Sequence, residues 1–345
     1  MHAGVSRAAV SLALREHPKS RSFSPETIRK IRRSAQALGY RVNLFSGRPG
    51  KQNTKVFMLY LSSLQDLYSG AIAESFQERA FERGYWTMLS LPPAGQGSFF
   101  DERVVGEHGI AAVALIGQVV SRVPAGELRS LAKNGGHVVT VGRNRPVDEV
   151  CGVLVDDRIG LTALGDHIYG RGARQIWLVG SHAANGSPGK TRCQLVVEYA
   201  REHGFPEPVC IDDAPRESKE ALTIDQKACQ AVRRQLAAGG PLPDAIVADL
   251  DIRAMGVYYA LREKGLEPGR DVAVTGYDDI WPSQAIFPSL TTVHQPTREM
   301  GIATADMLAD ALERNIGSGR QISIQPELRI RESTTLWEGR AATGQ

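Results

Sequence analysis

AIVADLDIRAMGVYYALREKGLEPGRDVAVTGYDD, residues 245–279, decides the fold. Its two ends, AIVAD (245–249) and VAVTGYDD (272–279), are short, almost continuous apolar runs that stop in acids. Runs of that kind read as strands covered on both faces. Residues 252–264 between them have helical spacing, so the unit reads strand–helix–strand, a parallel pair with its crossover. The same alternation recurs upstream. Strands are predicted at VFMLYL (56–61), YWTMLSL (85–91), IAAVALIG (110–117), HVVTVG (137–142), GVLVDD (152–157), RQIWLVG (174–180) and PVCID (208–212). Helices are predicted over 69–83, 125–133, 159–169, 191–203 and 219–238. About ten such strands exceed what one layer of ~150 residues holds, so the body reads as two doubly wound parallel-sheet subdomains in series. Ligand is then expected at the carboxyl ends of the strands.

Composition narrows the function. The chain of 345 residues has ordinary apolar and charged fractions. It has no apolar leader-like N-terminus and no run near the ~18 apolar residues of a membrane span, so the expected setting is cytoplasmic. Cys151, Cys193, Cys210 and Cys229 are widely spaced and read as reduced, buried thiols; no metal or cofactor site is expected. Charge is unevenly placed. Residues 1–51 hold eleven Lys/Arg against Glu16 and Glu26, a net of +9, whereas the whole chain carries only +3. A basic head on an acidic body is the electrostatic footprint of a phosphate-backbone binder.

That head reads as two short helices in GVSRAAVSLALREHPKSRSFSPETIRKIRRSAQALGYRVN, residues 4–43. The first runs from Ser6, a hydroxyl N-cap, to about Arg15, with Val10, Ala13 and Leu14 at helical spacing. The second opens on Ser24-Pro25-Glu26, buries Ile28, Ile31, Ala35 and Leu38, and closes at Gly39. LFSGRPGKQNT (44–54) is the linker to the body.

Enzyme motifs are weak. ANGSPGKT (184–191) fits a relaxed phosphate-loop pattern with Lys190 and Thr191 in the chemical positions, but Ala184 replaces a glycine and the loop stands four residues past its strand. No dinucleotide glycine pattern follows a strand and opens a helix, and no nucleophile elbow is present. A binding chemistry remains. Arg192, opening a helix after a strand, offers a planar fork of donors. Asp278 and Asp279 end a strand, Asp156 and Asp157 end another, and Asp66 to Ser69 add polar and aromatic groups after the first body strand. For Asp156 and Asp251 a helix N-cap is an equal reading.

The motifs resemble, in order and spacing over essentially the whole chain, those of the lactose-repressor (LacI/GalR) family of bacterial transcription regulators. GVSRAAVSLAL resembles the family's turn and recognition helix, and SPETIRKIRRSAQALGYRVN its third helix and exit. VAVTGYDD resembles its VaVvGfDD strand, PSLTTVHQPTREMG its crossover, and PELRIRES its terminal strand. The resemblance implies an α/β chain: a small all-α helix-turn-helix head over 1–43, a linker or hinge over 44–54, and a periplasmic-binding-protein-like body over 55–340. That body would have an N-subdomain of about 55–157 and 292–319 and a C-subdomain of about 158–291 and 320–340, joined by three crossings near Asp157, Leu290 to Val293 and Gly319 to Ile322. The function implied is that of a non-enzymatic regulator, in the repressor sense, dimeric on a pseudo-palindromic double-stranded DNA operator and controlled by a small polar effector such as a sugar derivative.

Residue by residue, the resemblance places Arg7 and Ala8 at the base-reading start of the recognition helix, with Leu12 where several members carry arginine. Ser6, Ser11 and Arg15 would touch phosphate or groove edge, and Tyr40 and Asn43 are further DNA-side candidates. Arg192 matches the effector-clamping arginine and Asp278 the aspartate that accepts from effector; Asp66, Tyr68 and Asp156 complete the candidate pocket. Leu250 stands where sugar-binding members often carry asparagine. Two departures are expected to matter. The family's first helix, about ten residues ahead of Ala3-Gly4-Val5-Ser6, has no counterpart, and Gly47, Pro49 and Gly50 interrupt the hinge segment. A solute-binding module with a decayed DNA head is the alternative those departures leave open.

Overall fold

The structure, a computed structural model, describes residues 5–6, 9–10, 13, 23–37, 55–92, 110–133, 137–142, 146–180, 190–213, 222–314 and 319–338. The chain divides into two units, residues 1–56 with 101–111, and the remainder.

In the first unit, helix α1 spans Pro25–Ala37. The Ser24 hydroxyl oxygen accepts the Thr27 N–H at 3.2 Å, and Glu26 faces the positive end of the dipole. Ile31 is buried with Ala13, and Val5, Val10 and Phe23 pack against them. Arg29, Lys30 and Arg33 stay exposed. Upstream, the Ser6 hydroxyl oxygen accepts the Ala9 N–H at 3.2 Å, a capping bond. Arg7, Ala8, Ser11, Leu12, Arg15, Tyr40 and Asn43, together with linker residues 44–54, lie outside the described residues.

The second unit holds two six-stranded sheets. The first comprises β1 (Val56–Tyr60), β2 (Trp86–Ser90), β3 (Ala112–Ile116), β4 (His137–Val141), β5 (Cys151–Val155) and β11 (Gln321–Ile324). The second comprises β6 (Ile176–Gly180), β7 (Val209–Asp212), β8 (Ala245–Ala248), β9 (Ala273–Asp278), β10 (Thr291–His294) and β12 (Glu327–Arg329). Their orders are β2-β1-β3-β4-β5-β11 and β7-β6-β8-β9-β10-β12. Each therefore has its topological switch point beside its first strand, at β1/β3 and at β6/β8. The registered pairs are parallel except β10 with β12.

Helices α2 (Leu67–Glu82), α3 (Gln118–Arg122) and α4 (Ala125–Lys133) serve the first sheet. The second sheet is covered on one face by α5 (Asp157–Gly170) and α6 (Arg192–Glu202), where Leu161, Leu164, Ile168, Leu195 and Val196 meet Leu178, Val247 and Tyr277. Helices α7 (Ile224–Ala237) and α8 (Asp251–Glu263) cover its other face, with Ala228, Val232, Val257 and Leu261 against Val179, Ile246 and Val274. Burial on both faces is why these strands lack alternation.

The last quarter departs from the sequence reading. Helix α9 (Pro282–Ala285) is a short turn, α10 (Thr297–Arg314) is a long helix that packs on α2, and α11 (Glu332–Thr335) closes the second sheet. The chain passes from the first sheet to the second after Val155. It returns after His294, because β10 stays registered with β9 as far as His294 opposite Asp278. It crosses again after Ile324, because β11 pairs with β5 from Gln321 to Ile324. The second and third crossings thus fall beyond the expected 290–293 and 319–322, and residues 292–294 and 320–324 exchange subdomains relative to the expected bounds. Among the described residues no helix is long and apolar enough to cross a membrane.

Candidate effector site

The carboxyl ends of β8 and β9, with the start of α6, carry a cluster of charged groups. Strand β9 ends in Asp278 and Asp279, non-glycine residues held at φ 114° and 57°, a conformation L-residues adopt only when the surroundings over-determine it. The surroundings here are polar. Asp278 Oδ1 accepts from Gln295 Nε2 at 2.6 Å and from Arg192 at 3.2 Å. Asp279 is held by Arg331 at 2.6 Å and by His294 Nδ1 at 3.0 Å, and those partners keep its carboxyl below the usual carboxylate range despite burial.

Arg192 is placed by helix geometry. It is the first residue of α6, behind a reciprocal cap in which Thr191 N–H donates to Gln194 Oε1 at 2.9 Å and Gln194 N–H donates to Thr191 Oγ1 at 3.2 Å. Its guanidinium donates to the Asp249 carbonyl at 2.9 Å, lies 3.4 Å from Asp157 Oδ1, and sits 3.7 Å above the Tyr277 ring. Asp249 is itself anchored through its carboxylate by Arg253 at 2.8 Å, which also binds Asp213 at 2.6 Å. Burial opposes the charge on Arg192, but Asp157 and Asp278 outweigh it and raise its pKa. Asp278 responds oppositely: burial pushes it up to about 8, with Arg192 pulling the other way.

The first sheet faces this cluster with different chemistry. Tyr68 lies in the first turn of α2, half-buried, with its hydroxyl 3.8 Å from Met300 Sδ. Burial pushes its phenol up, and the next contribution comes from Asp278 across the cleft. β4 ends in Gly142 at φ 82°, where an added Cβ would come within 2.8 Å of the Tyr68 hydroxyl. That strand end is therefore cut back to admit the ring. Asp66 accepts from Ser69 Oγ at 2.5 Å.

The structure thus brings together Arg192, Asp278, Asp66 and Tyr68 but not every candidate. Asp156 spends its carboxylate on the N-cap of α5, accepting the Arg158 N–H at 3.0 Å; it is Asp157, the next residue, that reaches Arg192. Leu250 is the half-buried N-cap position of α8 and offers no polar side-chain atom. Asp251 is buried and accepts from Thr292 at 2.5 Å, Ser283 at 2.6 Å and the Ile280 N–H at 3.0 Å, an internal brace. Tyr277 and Gln295 escaped the sequence reading: one is a core strand residue, and the other has its partner across a sheet pair.

Elsewhere, Lys190 pairs with Glu198, and Thr191 is the cap already described, so both chemical positions of ANGSPGKT have structural partners. Cys210 is exposed, contrary to expectation, while Cys151, Cys193 and Cys229 are buried. Among the described residues no group of His, Cys, Asp or Glu is arranged to hold a metal. A groove of about 450 Å³ between α7 and α8, lined by Asp225, Cys229, Arg233 and Tyr259, shares no residue with the Arg192 cluster.

Two doubly wound lobes joined by three crossings, with an arginine–aspartate pair at the strand ends, define a body of the periplasmic-binding-protein type. Residues 165–334 match the model of the periplasmic binding protein-like domain. The chain is 24% identical to the HTH-type transcriptional regulator DegA of Bacillus subtilis (strain 168), over 96% of each chain. Among solved structures it resembles the transcriptional regulator CelR–cellobiose complex, at TM-score 0.65 and 24% identity over 96% of this chain and 97% of that one. It also resembles the lac repressor dimer bound to operator and the anti-inducer ONPF, at TM-score 0.65 and 19% identity over 96% of each. Over nearly its whole length the chain is thus similar to transcriptional regulators of the LacI type. The relatives named are transcriptional regulators.

Proposed function

We propose that this protein is a cytoplasmic, homodimeric repressor that binds a pseudo-palindromic operator through residues 1–43. Its operator affinity is set by a small polar effector, a sugar or sugar derivative, held between the two sheets of the body. The observation that carries this reading is the Arg192–Asp278 pair, a buried donor fork and acceptor at the strand ends, where doubly wound folds bind ligands. Tyr68 and Asp66 supply a ring and a carboxylate from the other lobe. The CelR relative binds cellobiose and the lac repressor dimer binds operator, which supports the same pairing of DNA with a small effector here. An effector that bridges the lobes would favour one closure angle over another, and the crossings would pass that choice to the head. Fluorescence anisotropy of the full chain on palindromic DNA from its own locus tests the reading. Binding that weakens steeply with salt is expected; no salt-dependent binding contradicts it.

A further inference from the structure

Tyr277 is fully buried in the core of the second sheet, where a phenylalanine would fill the same space. Its ring already does one job by lying under the Arg192 guanidinium at 3.7 Å. Its hydroxyl does something else. It donates to Asp157 Oδ1 at 2.7 Å, the same oxygen that stands 3.4 Å from Arg192 Nε. Asp157 is the first residue of α5, immediately past the first crossing. That turn is wedged in place: a Cβ at Gly160 would meet Val293 Cγ1 at 2.5 Å, Pro326 Cγ at 3.1 Å and the Tyr277 hydroxyl at 3.3 Å. Val293 precedes the second crossing and Pro326 lies within the third, so the backbone of α5's first turn touches both other crossings. Asp157 therefore has a fixed backbone, and the Tyr277 hydroxyl chooses its side-chain direction.

We propose that the Tyr277 hydroxyl is a positioning group for Arg192. By orienting Asp157 on one side of the guanidinium, with Asp278 on the other, it sets the single direction in which the arginine faces the cleft. The hydroxyl also gives Asp157 a standing partner when Arg192 turns toward a bound effector, so the arginine leaves no buried carboxylate bare. This rests on the reading of Arg192 as an effector residue, but its test does not require effector or DNA.

Side-chain ¹⁵N NMR of the full chain, labelled at arginine, measures solvent exchange of the Arg192 Nε–H. Tyr277→Phe keeps the ring and the buried volume and removes only the hydroxyl. Exchange is expected to accelerate on the order of tenfold, the factor commonly carried by one hydrogen bond to a charged group. Asp157→Asn should accelerate it similarly, and the double variant should be no faster than Asp157→Asn, because both act through one contact. Ile176→Val, which loosens the same core, serves as the packing control and should leave the rate near that of the parent. A parental rate in Tyr277→Phe beside a raised rate in Asp157→Asn overturns the proposal, and so does equal acceleration in Ile176→Val. Failure of the protein to bind operator would instead count against the function proposed above and would leave these rates untouched.

Discussion

The two lobes of the body have the same strand order and opposite strand ends. In the first, β3 and β4 run out into Gly117 and Gly142, both at positive φ, and the space they leave is filled by Tyr68. In the second, β8 and β9 run out into Asp249 and Asp278, and Arg192 is fastened between them. One topology therefore supports a slot filled by an aromatic ring on one side of the cleft and an arginine–aspartate clamp on the other. Fold places the site, and the one or two residues beyond each strand decide its chemistry.

Removing the clamp should break this contrast most severely. Arg192→Ala leaves the Asp157 carboxylate without its cation and takes one donor from Asp278, at a cost of about 3–5 kcal/mol in stability, the usual penalty for breaking a buried pair from one side. Effector response should be lost while operator affinity, read by anisotropy, stays within a few-fold of the parent. On the slot side, Gly142→Ala sets a Cβ against the Tyr68 hydroxyl at an unfavourable φ of 82°. A loss of about 1–3 kcal/mol in urea melts is expected, with weakened rather than abolished response, because the charged clamp is intact.

Asp278→Asn sharpens the comparison through pH. The folded carboxyl titrates at about 8 against an ordinary 3.8. Between those values the folded state holds the proton more firmly than the unfolded state does. The stabilisation is fully present below about 3.8 and is lost as pH rises through about 8. Melting temperatures of the parent should fall relative to Asp278→Asn as pH rises across that window; parallel curves would show that Asp278 is ionised throughout. The smallest effect is expected at Leu250. Leu250→Asn adds an amide beside the clamp and should sharpen the half-maximal response to a sugar by ~2–10-fold, the worth of one neutral hydrogen bond.

What could be read from residues alone follows the physics of each element. Strands buried on both faces announce themselves as apolar runs, so β1, β3, β6, β8 and β9 were legible. Helix α10 was not: it buries Met300, Gly301, Thr304, Ala305, Met307, Leu308, Ala309 and Ala311, small and spread around the axis, without a single apolar stripe. β11 and β12, of four and three residues with polar neighbours, carry too little pattern to be told from loop. In the site, Arg192 stood out as a donor fork opening a helix after a strand, and Asp278 as an acid ending VAVTGYDD, whose motif resembles a known strand. Asp156 and Asp157 could not be separated, since either acid can cap a helix; only the structure shows which one turns inward. Tyr277 was hidden by its own hydrophobicity, as its hydroxyl meets a carboxylate 120 residues away in sequence.

The claim at the centre is that Arg192 and Asp278 hold the effector. A thermal-shift panel of sugars, sugar acids and purines on the full chain, run beside Arg192→Ala, tests it most directly. At least one compound should raise the melting temperature of the parent by several degrees and leave Arg192→Ala unmoved; a compound that stabilises both proteins equally would contradict the account.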